Sequence, residues 1–331
     1  MSDISVTDLR DKRTVSVPSS FSLRFADGSI VRSQDLHFAA PPMVHDLKGQ
    51  PNVSRYSDEI DGKVFEGVLE NKTGDLRVDV SFVLRDGSNY FRQIIVVSAP
   101  QNALAIRDVR MIDLDLPEAQ VSGTVAGSPI VDGNFYFGFE HPLALVQKVR
   151  GHALADLERA LPLPKGQSIQ YSSVIGVAPT GQMRRAFLAY LERERAHPYR
   201  TFLHYNSWYD IGYFNPYDQA QAIDRVNTFG RELQEKRGAK LDSFLFDDGW
   251  DNHASLWKFN KGFPDGFTGV TEAAAKLGPL PACGFPPGED MTSPSRSALS
   301  LAKRPGMRLF QAGMLSPGQS TTTPSAMRVL R

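Results

Sequence analysis

The hydrophobic period of this chain changes near Thr180, and that change limits the folds open to it. From about residue 15 to residue 140, short runs rich in Val, Ile and Phe are separated by Gly, Asn, Asp and Pro: VSVPSSFSLRF, VFEGVLE, LRVDVSFVLRDG, YFRQIIVVSA and LAIRDVRMIDLDL. β-branched and aromatic side chains suit a pleated, half-buried surface, so punctuated runs of this kind predict strands. LRVDVSFVL alternates apolar and polar residues, as a strand with one face in a core should. SPIVDGNFYFGFEHPLALV adds two runs around an Asp-Gly turn, and SIQYSSVIGVAP adds another. Strands in this number predict a β-sandwich over residues 1–182, behind a polar N-terminal lead.

After Thr180 the spacing becomes helical. GQMRRAFLAYLERERAHP sets Met183, Phe187, Leu188 and Leu191 on one stripe, and Pro198 closes the segment. TFLHYNSW then reads as a strand, and NPYDQAQAIDRVNTFGRELQEKRG as a helix with Ala222, Ile223, Val226, Phe229 and Leu233 on one face and Gly238 as its stop. LDSFLFDDGW is the next strand and FTGVTEAAAKLG the next helix. Strand and helix in alternation predict parallel βαβ units, which with the linking helix before them make up a segment over 183–277. The chain therefore reads as multidomain, β and then α/β, and 331 residues suffice for about two domains.

From Gly278 the chain is dense in Pro, Ser, Gly, Arg and Met and keeps no period, which predicts a low-order tail over 278–331. The same stretch reads as an out-of-frame translation. Allowed codons for Cys283 to Arg328, read from the third base of the first, yield an open string of globular composition. Two strands leave an open sheet edge and uncovered helix faces. The expectation is a well-folded sandwich and a poorly packed 200–277 segment.

Charge and cysteine content narrow the function classes. Lys+Arg and Asp+Glu are both 37, so no net charge draws the chain to nucleic acid or to an acidic membrane. The N-terminus is polar, and no run approaches the roughly 18 apolar residues of a membrane span. One cysteine, Cys283, excludes an internal disulfide and fits a reducing compartment. With no partner cysteine and no local histidine, it reads as inert. The expectation is a cytoplasmic protein, or an exported one whose N-terminal signal has been lost. Patterns for dinucleotide, phosphate-loop, zinc-hydrolase and serine-hydrolase sites are absent, and no cofactor is expected.

In α/β architectures, ligands sit at the carboxyl ends of parallel strands. Two such ends are readable: HYNSWYD, residues 204–210, and FDDGWDN, residues 246–252. Carboxylates accept hydrogen bonds from hydroxyl groups, and indole faces stack on the apolar faces of sugars, so this mixture suits a carbohydrate. Acidic pairs also suit a metal such as Mg²⁺. Asp248-Gly249 alternatively fits a type I′ hairpin turn, with the tryptophans as core. Asn206-Ser207 fits a turn or a helix cap. His141 reads as a packed or turn residue and His204 as a core one. Phe263 to Gly266 reads as a turn into a helix, and Asp210, Asp218 and Asp251 as solvated loop acids.

FLHYNSWYDIGY, followed some forty residues later by LFDDGWD, resembles the melibiase-type α-galactosidases of glycoside hydrolase family 36. The likeness spans roughly residues 20–277 and is specific only over Thr201 to Gly278. It implies an N-terminal β-supersandwich of the galactose mutarotase type, then an incomplete TIM (β/α)8 barrel of which this chain carries two units. It implies retaining hydrolysis of terminal α-galactosides or their N-acetyl analogues, and association of identical chains. Carried over by position, it sets Asn206 and Trp208 at the first strand end, with Trp208 against the sugar ring. Asp247 and Asp248 would bind its hydroxyls, and Trp250 would form a wall of the subsite. The family's nucleophile and acid/base lie at later barrel strands, so no catalytic residue is assigned here, and the chain as written is expected to be inactive. The alternative is a carbohydrate-binding or oligomer-assembly remnant. A weaker third reading is a metal-dependent hydrolase using Asp247 and Asp248.

Overall fold

The computed structural model describes residues 4–212, 215–252, 254–255 and 258–278, and the backbone of Leu280–Cys283 and Arg308–Leu309. Trp257, the Cys283 thiol and almost all of the expected tail lie outside the described residues. The chain divides into two compact units, one reaching Tyr199 and the other starting at Arg200.

The first unit is a β-sandwich. Among the described residues, its larger sheet runs in the order Gln120–Val121, Ile130–Asp132, Phe135–Phe139, Ser168–Val177, Tyr90–Ser98, Arg77–Arg85, Gly62–Glu70, His37–Phe38, and Met43–Leu47 also pairs with Gly62–Glu70. The smaller sheet runs Leu145–Val149, His152–Glu158, Ile106–Asp115, Ser22–Phe25, Ile30–Arg32. Every pairing in both sheets is antiparallel. Because strand side chains alternate faces, Val78, Val80, Ile95 and Val97 of the larger sheet share one buried cluster with Leu23, Val109 and Ala155 of the smaller. Each such Val, Ile or Leu contributes roughly 1.5–3 kcal/mol on leaving water.

His152–Glu158 (HALADLE) was not among the strands expected from sequence. Its Ala, Leu and Glu favour helix by propensity. The residues Ala153 to Asp156 are buried between two neighbouring strands, and that packing outweighs the propensity.

The helix α1, Met183–Glu194, belongs to the first unit and not to the 183–277 segment. Its inward face keeps half of the expected stripe: Met183 and Phe187 pack on the cluster that holds Tyr90 and Tyr136. Leu188 and Leu191 are 47% and 42% exposed, while Ala186 and Tyr190 are buried against Tyr90 and Tyr136. A buried ionic network decides the orientation. Arg92 donates to both oxygens of Glu140 and lies 3.1 Å from Glu194 on α1. The Tyr190 hydroxyl donates to Glu140 at 2.6 Å, the Tyr90 hydroxyl to Glu194 at 2.8 Å, and the Ser57 hydroxyl to Glu194 at 3.0 Å. A charge at this depth is tolerated only when paired, so Glu194 fixes which face of α1 turns inward.

The second unit is α/β. The strands His204–Asn206 and Ser243–Phe246 are parallel, with Tyr205 opposite Phe244 and Asn206 opposite Leu245. Helix α2, Gln219–Phe229, joins them. Asp218 caps it by accepting from the Gln221 amide at 2.8 Å, while Gln221 accepts from the Asp218 amide. The helix continues through wider turns over Gly230–Glu235, where a Cβ on Gly230 would lie 2.3 Å from Leu277. Helix α3, Thr268–Ala275, follows the second strand, and its entry is the expected turn, with the Gly266 amide donating to the Phe263 carbonyl.

Two expectations for this unit are corrected. The sheet continues past Gly278: Leu280–Cys283 lies parallel to Ser243–Phe246, and Arg308–Leu309 parallel to Leu280–Cys283. Pro281 inside the third strand masks it from propensity, since proline normally argues against a central strand. Nor is the segment poorly packed. Phe244, Phe246, Trp250, Val226, Ala222 and Val270 form a fully buried cluster. No helix among the described residues is long and apolar enough to cross a membrane.

Candidate functional site

The parallel register brings the carboxyl ends of His204–Asn206 and Ser243–Phe246 level with one another. The chain leaves the first end in a single tight turn, Ser207–Tyr209, and the Asn206 side chain caps that turn by accepting from the Trp208 amide at 2.9 Å. Asn206 therefore acts as the cap that its residue type suggests. Ser207 is 0% exposed, and its hydroxyl oxygen accepts from the Asp247 amide at 2.8 Å. That bond joins the two strand ends. Asn206 and Trp208 on one end and Asp247 and Asp248 on the other are thereby brought together.

The second end turns sharply. The Asp247 carboxylate accepts from the Asp248 amide at 2.8 Å, folding its side chain over the turn. Gly249 takes φ +108°, and a Cβ there would lie 2.4 Å from the Asn215 carbonyl and 2.9 Å from the Tyr217 ring. Only glycine meets both demands. The strands on either side of α3 are parallel, so Asp248-Gly249 is not a hairpin turn between them.

The expected residues differ in exposure. Asn206, Trp208 and Asp247 are half-buried and Asp248 is 8% exposed. Trp250 is 0% exposed and packs against Phe259 and Phe267 with ring centres 5.2 and 5.4 Å away. Its ring faces the core, so the expectation of Trp250 as a subsite wall is corrected: one residue past Gly249 the chain has turned inward. Asp251 is buried, not solvated, and His204 is exposed, not in the core. Asp210 is also engaged, accepting from the Tyr205 hydroxyl at 3.0 Å and pairing with Arg225 at 3.2 Å. Burial, and then the Asp210 charge, push the Tyr205 hydroxyl pKa upward, so it stays a donor. His141 fits the turn reading: its Nδ1 accepts from the Leu143 amide at 3.2 Å.

Sequence reasoning missed Tyr217 and Asn260. The Tyr217 hydroxyl donates to the Asp247 carbonyl at 2.8 Å and lies 3.3 Å from the Ser207 hydroxyl. The Asn260 amide group donates to the Gly249 carbonyl at 2.8 Å and to the Tyr217 carbonyl at 3.0 Å. Neither residue sits in a motif, and only the fold brings them to the turn. Among the described residues, no three His, Cys, Asp or Glu side chains converge as a metal site requires.

Among solved structures, the chain is similar to the galactosidase domain of the α-galactosidase–sucrose kinase AgaSK, at 11% identity over 80% of this chain and 45% of that one, with a TM-score of 0.50. The likeness is one of fold. Similar too are the family 36 α-galactosidase AgaA from Geobacillus stearothermophilus (16% identity, 86% and 47% covered, TM-score 0.49) and the α-galactosidase from Lactobacillus brevis (15%, 85% and 46%, 0.49). The chain spans about half the length of the solved structures it matches. No family model matches the sequence, and no curated protein matches it.

Proposed function

We propose that the paired strand ends recognise the terminal sugar of an α-galactoside, in a glycoside hydrolase-like protein of the retaining α-galactosidase type whose α/β unit is part of a TIM barrel. Asn206, Trp208, Asp247 and Asp248 are the binding groups. The observation that carries this reading is the Ser207–Asp247 bond, which sets two acids, an amide and an indole at the same end of neighbouring parallel strands. Adjacent carboxylates offer several acceptors to sugar hydroxyls, and hydrogen bonds to a charged partner are the stronger kind.

Retaining hydrolysis needs two carboxyl groups about 5–5.5 Å apart across the glycosidic bond, one as nucleophile and one as acid/base. In this reading Asp247 and Asp248 are committed to hydroxyls, so neither takes those roles, and the chain binds without turnover. Calorimetric titration with galactose, alongside a nitrophenyl α-galactoside assay, tests both statements. Saturable galactose binding without release of nitrophenol is expected. No binding overturns the sugar reading, and turnover overturns the assignment of both acids to binding alone.

A further inference from the structure

We propose that Tyr217 and Asn260 are positioning residues for the Asp247–Asp248 turn; the inference rests on the sugar-binding reading above and adds the groups that hold the turn in its binding shape. Both backbone polar groups of Asp247 are tied: its amide donates to Ser207 Oγ at 2.8 Å, and its carbonyl accepts from Tyr217 Oη at 2.8 Å. The Gly249 carbonyl accepts twice, from the Tyr217 amide at 3.0 Å and from Asn260 Nδ2 at 2.8 Å. The Trp250 carbonyl accepts from the Asn260 amide at 3.0 Å, and Asn260 Oδ1 accepts from the Gly262 amide at 2.6 Å.

The turn is thus held by two other loops, one carrying Tyr217 before α2 and one carrying Asn260 before α3. Neither side chain is needed to close a strand or a helix. Their bonds end on backbone atoms on both sides of Asp248, whose amide is held in turn by the Asp247 carboxylate. Tyr217 is buried among Phe246 and Phe263, so its ring has little room to move and its hydroxyl is held in place. A binding constellation works only when its groups are held within about 0.5 Å of the productive geometry by locked neighbours. Tyr217 and Asn260 supply that lock. Neither is required to touch the sugar.

The test uses the full chain with Tyr217→Phe, which removes one hydroxyl, and Asn260→Asp, which keeps the acceptor for Gly262 and removes the donor to the two carbonyls. Two quantities are read well below the melting transition: galactose affinity, and hydrogen–deuterium exchange at the Asp247 and Asp248 amides. The expected result is faster exchange at those amides, unchanged exchange at Ile95 and Val97 in the first unit, and galactose affinity weakened about tenfold, the size of one lost hydrogen bond. A purely structural role would lower the thermal midpoint and leave galactose affinity of the folded variant where it was, which overturns the proposal. Unchanged exchange at Asp247 and Asp248 also overturns it, because the turn would then not depend on these ties. A wild-type chain that does not bind galactose removes the sugar reading itself; the exchange result then separately decides whether the ties hold the turn.

Discussion

The Asp247 amide and the Ser207 hydroxyl, forty residues apart in the chain, meet at 2.8 Å. One small side chain thereby sets the distance between the ends of two parallel strands. Ser207→Ala leaves a backbone donor at the turn without its acceptor, and the loss of such a partner costs about 1–3 kcal/mol. Urea denaturation of the second unit should register that loss, together with weaker galactose binding. A variant with unchanged stability and affinity would mean that the bond holds nothing in place.

Trp208 and Trp250 should respond in opposite ways. Trp250 is wholly buried between Phe259 and Phe267, and truncating a core tryptophan to alanine costs about 3–5 kcal/mol. Trp250→Ala is therefore expected to unfold the second unit or to lower its melting midpoint sharply. Trp208 is half-buried at a strand end, so Trp208→Ala should leave the unit folded and weaken galactose binding. Equal effects of the two substitutions on melting would contradict the division between core and site.

Asp247→Asn isolates charge from shape. The substituted amide still offers its oxygen to the Asp248 backbone, so stability should stay within about 0.5 kcal/mol of wild type. A hydrogen bond to a charged group is worth about 1.5–3 kcal/mol, so galactose affinity should fall at least tenfold. An affinity that survives the substitution would show that the carboxylate charge is not used.

The strand periods of the first unit and the helix–strand alternation of the second are legible in the sequence because they depend on local side-chain pattern. The stripe Ala222, Ile223, Val226, Phe229, Leu233 lies on the inward side of the second unit as its spacing predicts. The stripe on α1 is half right: Met183 and Phe187 pack inward, while Leu188 and Leu191 turn outward because Glu194, a charged residue, takes an inward position through Arg92, and hydrophobic spacing cannot register a buried ion pair. HALADLE and LPAC are missed for a related reason: their strand state is imposed by neighbours, against the preferences of Ala, Leu, Glu and Pro. At the site, Asn206, Asp247 and Gly249 announce themselves as cap and turn residues. Tyr217 and Asn260 do not, since the side-chain bonds they give to Asp247 and Gly249 span thirty and eleven residues of sequence.

The stretch after Gly278 makes a prediction about the gene. The third base of a cysteine codon followed by the two fixed bases of the Gly284 codon reads TGG or CGG, and later codons continue in the same way without forcing a stop. Sequencing of the coding DNA should find an uninterrupted frame starting at the third base of the Cys283 codon and running to Arg328. A stop codon in that frame would overturn the out-of-frame reading.

The pH response of the first unit should centre on Glu140. Burial alone would raise its pKa, but the Arg92 charge and its hydrogen bonds outweigh burial and hold the carboxyl below its ordinary 4.5. In the acid range the unfolded chain therefore binds the proton more readily than the folded one does. The stability from this group is fully present above about pH 4.5 and is lost as the pH falls through the lower, folded value. Thermal melts of wild type should fall progressively below pH 4.5, and Glu140→Gln should remove part of that slope. At neutral pH the same substitution should cost about 3 kcal/mol, the low end for breaking a buried pair, because Glu194 still faces Arg92 at 3.1 Å. If wild type and Glu140→Gln lost stability in parallel on acidification, the Arg92–Glu140 pair would not be the source of the acid sensitivity of the first unit.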